Sequence, residues 1–413
     1  MQFRNCMQYF IAICAFFSAC YATSIDTTSG LLLDTSQFVI DYWALDANFN
    51  ETAVGAIAFT QGLRTTGTGW VWLDVAYPIY QTLDMSNATG NIKLYGDLHL
   101  ADKVILQCNE PYGIIKTPVD QPRKVIYLDG NVTLSGNNSK SGGDISGLVL
   151  ENVILDGQGH TLFLGQTPQG GALIIGSNVT LRNVTIKHAW CDQTSGSFLL
   201  FEGTVLPEAA TMDCILQNMT FEQRVGQPLS FGRIPTALER RIVIDGTVTF
   251  KGAVGNEHPW GEYYGVRDGE FNVPIIVHDQ SSLIVESGAL LRGWYTSPSY
   301  GPFYQHDVGI YFDSDSSRLI LNDSVYGVYN PANSRAGYDG MLELTTTLTR
   351  GTLIVRGASQ LRVDAQLLKG GRSVLFIGDN NVADDFNIII DPGARLDVIG
   401  TNTNCSVVFR NVH

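Results

Sequence analysis

The chain has 413 residues, 44% of them hydrophobic and only 16% charged. That length ordinarily divides into two globular domains, unless the core grows along one axis as it does in a repeat protein. Lys and Arg number 26 against 40 Asp and Glu, a net charge of −14. This opposes the polyanion attraction that nucleic-acid binding relies on, so no nucleic-acid partner is expected.

The N-terminus reads as an export signal. MQFRN carries Arg4, and residues 9–19 (YFIAICAFFSA) form an apolar run too short to span a bilayer, followed by small residues. A signal peptide over 1–22, cut after Ala22, predicts a secreted, periplasmic or cell-surface protein. FSAC (17–20) offers a second reading, a lipoprotein box with a lipid anchor at Cys20, although Phe17 stands where an aliphatic residue is usual. No later segment has about 20 consecutive apolar residues, so no transmembrane span is expected after the signal. Residues 23–89 contain TSQFVIDYWALDAN and TGTGWVWLDVAYPIY, which are richer in Trp and Tyr. They read as an irregular N-terminal cap and first irregular turn, because an uncovered end exposes strand edges.

From residue 90 one pattern recurs: GNIKLYGDLHL (90–100), KVIYLDGNVTLSG (124–136), GLVLENVILDG (147–157), SNVTLRNVTIKHA (177–189), CILQNMTFEQ (214–223) and RIVIDGTVTFKG (241–252). It continues in SSLIVESGALLRG (281–293), SRLILNDSVYG (317–327), GTLIVRGASQLRVDA (351–365) and FNIIIDPGARLDVIG (386–400). Alternation with period two marks short strands with one buried side, and Gly, Asn and Asp at the breaks supply turns. Strands this short have no stable core alone. Stacking each on its equivalent in the next coil buries one continuous apolar column. The expected fold is therefore all-β, a parallel β-helix (solenoid) over 90–413 with loop inserts at 255–271 and 293–307.

Four cysteines lie beyond the export segment: Cys108, Cys191, Cys214 and Cys405. Cys191 and Cys214 stand about one coil apart, so they are read either as a disulfide across neighbouring coils or as two buried thiols.

DGQGHTL (156–162), SNVTLRNVTI (177–186) and CILQNMTF (214–221) resemble the rungs of the pectate-lyase-like right-handed parallel β-helix superfamily. The resemblance covers residues 90–400 and implies the right-handed coil. It leaves activity open, since that scaffold serves lyases, hydrolases, adhesins and surface proteins. The hydrolases of the superfamily carry N-T-D, Asp-Asp, G-H-G and R-I-K segments on successive rungs. Here the only adjacent Asp pair, Asp384–Asp385, follows G-H-T (159–161) and R-I-V (241–243) instead of preceding them. The calcium-ligand and Arg set of the lyases finds no match in Asp192, Asp213 and Asp245. No catalytic residue is assigned.

Asp156 and His160 suggest an acid and its partner in isolation. Asp129–Gly130 and Asp245–Gly246 repeat the D-G step without a His, so the step is read as a structural corner. The sequons at Asn131, Asn178, Asn183 and Asn218 sit regularly in the rungs and are read as turn and stacking residues. Oxygen-rich DSDSS (313–317) and DNNVADD (379–385) could hold calcium, but lack the spacing of a dedicated loop and are read as solvated turns. No other metal or cofactor is expected.

The strongest functional signal is a pair of aromatic inserts. GNEHPWGEYYGVRDGEF (255–271) carries Trp260, Tyr263 and Tyr264, and GWYTSPSYGPFYQHD (293–307) carries Trp294, Tyr295 and Tyr304. Aromatic rings offer apolar platforms to sugar rings, and neighbouring charged groups take hydroxyl hydrogen bonds. The alternative is that these loops fold back to cover the side of the coil. The expectation is an exported, non-catalytic β-helix protein with a surface, adhesive or glycan-binding role, its partner a polysaccharide or a host or cell-surface glycan. The rival is a polysaccharide lyase or glycoside hydrolase using Glu262, Arg267, Asp268, His306 and Asp307. A third reading is a purely structural envelope component.

Overall fold

The computed structural model describes residues 24–26, 30–34, 40–41, 63–67, 70–73, 82–88, 91–108, 113–136, 147–164, 172–188, 199–200, 213–222, 230–231, 241–252, 270–271, 275–294, 310–330, 344–348, 350–365, 373–378, 386–400, 405–410 and 412–413. These residues are all-β, with no helix among them.

Successive coils visit three faces. The first holds Asn91–Leu94, Gly113–Lys116, Gly147–Glu151 and Ala172–Ile175, each parallel to the next. The second holds Leu98–Leu100, Lys124–Leu128, Val153–Asp156 and Val179–Arg182. The third holds Ile105–Cys108, Val132–Gly136, Thr161–Leu164 and Thr185–His188. Cys214–Glu222 and Ile242–Lys251 each run through the second and third faces without a break in the strand. Later coils keep the parallel order, with first-face strands Glu270–Phe271, Leu290–Trp294, Val325–Asn330, Ala358–Ala365 and Arg395–Gly400. This stacking is the arrangement of a β-helix or solenoid.

Parallel pairs also lie within 23–89, where Gly30–Asp34, Leu63–Gly67 and Thr82–Ala88 stack toward Ile105–Cys108. Ser24–Asp26 lies antiparallel on the outer edge of Gly30–Asp34, covering edge groups that would otherwise invite another strand.

Register explains the core. On the second face Leu98, Ile126, Leu155, Leu181, Leu216 and Ile244 pair in sequence, and every one is buried. Each such side chain removed from water contributes about 1.5–3 kcal/mol. On the third face Phe221 and Phe250 pair in register and stack with centroids 4.9 Å apart. At the last coil Ile390, Val398 and Phe409 are about half exposed, although they pair with Val355, Leu361 and Ile377, which are fully buried.

Single residues with positive φ turn the corners: Asn152 (51°), Gln158 (50°), Asn178 (54°), Asn183 (51°) and Asn218 (47°). Asn tolerates this region because its short side chain satisfies nearby polar groups. Asn178 Nδ2 donates to Asn152 Oδ1 at 2.7 Å, and Asn152 Nδ2 donates to the Thr117 carbonyl at 3.0 Å. The sequon asparagines Asn178 and Asn183 thus act as stacking residues.

Residues 151–165 show the corner in detail. Asp156 Oδ1 accepts the Gln158 N–H at 3.0 Å, and the His160 N–H reaches the Gly157 carbonyl at 2.7 Å. The two glycines have different reasons. Gly159 has φ of +88° with nothing nearby, whereas a Cβ on Gly157 would lie 2.4 Å from Val184 Cβ. Leu162 and Leu164 are buried while Thr161 and Phe163 are half-buried, as the alternation predicts.

Candidate functional site

Trp260, Glu262, Tyr263, Tyr264, Arg267, Asp268, Tyr295, Tyr304, His306 and Asp307 lie outside the described residues. Trp294 closes the strand Leu290–Trp294 and pairs with Tyr329, which pairs with Asp364. Buried Leu291, Tyr326 and Leu361 occupy the inner row of these strands, so positions 294, 329 and 364 fall in the alternate, outer row. Positions 292, 327 and 362 form a second outer row, Arg292–Gly327–Arg362.

The inserts connect at opposite edges of this face. The chain reaches Glu270–Phe271 from the third-face strand Ile242–Lys251, and leaves Leu290–Trp294 for the second-face strand Ile310–Phe312. Glu270–Phe271 pairs with Arg292–Gly293. The strands that bound the first insert thus belong to the third and first faces, and those that bound the second to the first and second faces.

The second face carries an outer row that periodicity alone did not single out. His99, Tyr127, Asp156, Arg182, Gln217 and Asp245 follow one another in register. His99 stacks on Tyr127 at 4.6 Å and bonds Asp129 through Nδ1 at 3.0 Å. Gln158 Nε2 donates to Asp129 Oδ1 at 2.7 Å. Arg182 Nε donates to Asp156 Oδ2 at 2.7 Å, and Asn183 Nδ2 to Asp156 Oδ1 at 3.2 Å. Arg123 reaches across an intervening strand so that its Nη1 donates to Thr180 Oγ1 at 3.0 Å.

Burial alone would raise the Asp156 carboxyl. The Gln158 N–H, the Asn183 amide and the Arg182 guanidinium outweigh it and hold the group below its ordinary value. For Arg123, burial and then the like charge of Arg182 lower the guanidinium. Beside this cluster a shallow hollow of about 380 Å³ runs along the corner, lined by Gln158, Gly159, Asn183, Thr185, Asn218 and Thr220 among others.

At the DSDSS loop, Ser314 Oγ donates to Asp279 Oδ1 at 2.6 Å, Ser316 Oγ bonds the same oxygen, and Ser317 Oγ bonds the Val277 carbonyl at 2.9 Å. The Ser314 and then the Ser316 hydroxyl hold the Asp279 carboxyl below its ordinary value. The loop's hydroxyls are thus engaged in fastening one turn to the turn before it. Among the described residues no group of three His, Cys, Asp or Glu is placed to hold a metal ion. Residues 379–385 lie outside the described residues.

No family model, curated protein or solved structure matches the chain. Cys214 is a buried thiol in the inner row of the second face, between Val179 and Ile242; Cys191 lies outside the described residues. No helix among the described residues is long and apolar enough to cross a membrane.

Proposed function

We propose that the protein is an exported, non-catalytic, right-handed parallel β-helix of the pectate-lyase-like kind that recognises glycans at a surface through its first face. The observation that carries this reading is the in-register run Trp294–Tyr329–Asp364, beside the row Arg292–Gly327–Arg362. Neighbouring strands lie about 4.8 Å apart, so aromatic positions on adjacent coils form a platform on the scale of a sugar ring, with charged positions beside it for hydroxyls. The inserts at 255–271 and 293–307, which carry Trp260, Tyr263, Tyr264, Tyr295 and Tyr304, connect to the first-face strands Glu270–Phe271 and Leu290–Trp294 and are proposed to take part in the same recognition.

Binding to an array of polysaccharides and cell-surface glycans tests the reading. Trp294→Ala and Tyr329→Ala are each expected to weaken binding about tenfold or more while leaving the melting midpoint within a few degrees. Release of reducing or unsaturated sugar ends, abolished by Glu262→Gln or Asp268→Asn, would instead establish the lyase or hydrolase. Export is read from the mature N-terminus: Thr23 follows signal cleavage, and a lipid-modified Cys20 follows lipoprotein processing.

A structural envelope role has one specific observation in its favour, the exposed apolar side chains Ile390, Val398 and Phe409 of the last coil. It predicts concentration-dependent self-assembly without ligand, detectable by sedimentation.

A further inference from the structure

The second face carries two arginines, Arg123 and Arg182, away from the first-face strands. Arg182 spends its Nε on Asp156, and its terminal Nη groups have no hydrogen-bond partner among the described residues. Arg123 is held by a single contact, from Nη1 to the hydroxyl of Thr180, which is only 4% exposed. Thr180 and Arg182 stand two residues apart in one strand and on the same side of it, a rise of roughly 7 Å. The two guanidiniums are therefore neighbours on one outer surface, and Arg123 feels the like charge of Arg182.

Among the described residues, three other arginines lie against carboxylates, one of them Arg395 beside Asp397. Arg241 takes Asp213 at 2.7 Å and Arg356 takes Asp391 at 3.2 Å. Among the described residues Arg123 has no carboxylate partner, and the one carboxylate bonded to Arg182 is already shared with Gln158 and Asn183. Of these two arginines only Arg182 is bonded to a carboxylate among the described residues, in a chain whose net charge is −14. A planar oxyanion placed between them would meet both guanidiniums, each carrying donors in a fixed fork.

We propose that Arg123 and Arg182 together bind a carboxylate of an acidic glycan, with the chain of sugars continuing into the corner hollow beside Asn183. Thr185, Asn218 and Thr220 line that hollow, and their hydroxyl and amide groups suit sugar hydroxyls. Thr180 acts as a positioning residue: its hydroxyl fixes where Arg123 ends.

The probe is a hyaluronan octasaccharide, which carries a carboxylate on alternate sugars, titrated calorimetrically at low salt. Arg123→Gln is expected to weaken binding about tenfold or more with the melting midpoint within a few degrees, because the one side-chain hydrogen bond it loses among the described residues is that to Thr180. Arg123→Lys keeps the charge without the fork and falls between the two. The methyl-esterified octasaccharide is expected not to bind, and Trp294→Ala is expected to leave this affinity as it was, which separates the site from the first-face reading. The proposal is overturned if wild-type protein does not bind the acid form, if Arg123→Gln binds it equally well, or if the ester binds as tightly. A carboxyl-free sulfated galactan bound with the same dependence on Arg123 would also overturn the carboxylate assignment.

Discussion

On the second face every strand carries two rows that share one backbone. The inner row, Leu98–Ile126–Leu155–Leu181–Leu216–Ile244, consists of buried aliphatics. The outer row one residue along, His99–Tyr127–Asp156–Arg182–Gln217–Asp245, changes chemical type at nearly every step. Inside, each position repeats the demand of the one below it, so volume and shape are all that matter. Outside, water satisfies side chains that the protein does not, and the scaffold leaves chemistry unconstrained. A solenoid therefore separates stability from recognition by side of strand rather than by region of chain.

The inner row should give the largest response. Leu181→Ala removes a fully buried side chain stacked between Leu155 and Leu216. It is expected to cost about 2–5 kcal/mol, read as a lower denaturant midpoint. Because coils contact mainly their neighbours, the loss should also show as local hydrogen-exchange weakening in 153–156 and 214–222 before the ends respond.

The corners between the rows come next. Asn152 donates to the Thr117 and Pro118 carbonyls and accepts from Asn178, all at φ of 51°. Asn152→Ala loses those bonds in a site that is 9% exposed, costing about 1–3 kcal/mol, with strain of about 1–2 kcal/mol from a left-handed alanine. Asn152→Gly keeps the bond loss and relieves the strain. If the two variants melt together, backbone conformation contributes nothing at this corner.

Much of this was legible in the sequence, and the boundary is physical. Alternation and turn chemistry are local, so the strand, corner and strand of 151–165 follow from adjacent residues, and recurrence of D-G at Asp129 and Asp245 identifies the corner as scaffold. The Arg123–Thr180 contact is not local. It spans two coils, and its pairing depends on a register that loops of unequal length hide. Only an alignment of rungs strand by strand would have placed Tyr127, Asp156 and Arg182 in one outer row. The aromatic inserts lie between these cases: their composition is visible, but which faces they join depends on which strands they connect.

Asp156 links the two rows through pH. Its carboxyl is held below the ordinary value of 3.8 in the folded chain, so the unfolded chain takes up a proton first as pH falls. The stabilisation is fully present above that ordinary value and drains away as pH drops through the lower, folded one. Asp156→Asn should therefore lower the midpoint at neutral pH by a moderate amount and flatten the acid limb of the stability curve. An unchanged acid limb would show that the contacts from Gln158, Asn183 and Arg182 are equally available to the neutral side chain.

The smallest effect belongs to the third face, where outward positions alternate in charge as Lys187–Glu222–Lys251–Glu286. Lys187 Nζ lies 2.6 Å from Glu222 Oε1, with side chains 38% and 32% exposed. Exposed pairs of this kind contribute about 0–1 kcal/mol, because water and salt screen the attraction and two long side chains lose freedom. Lys187→Ala should hardly move the midpoint. Lys187→Glu tests the row more sharply, since it places like charges in register on adjacent coils, which is destabilising by a similar small amount. Adding salt should remove most of that difference. A loss of several kcal/mol that persists at high salt would mean that the outer row of this face carries the fold as the inner row does, and the division of labour between the two sides of the strand would not hold.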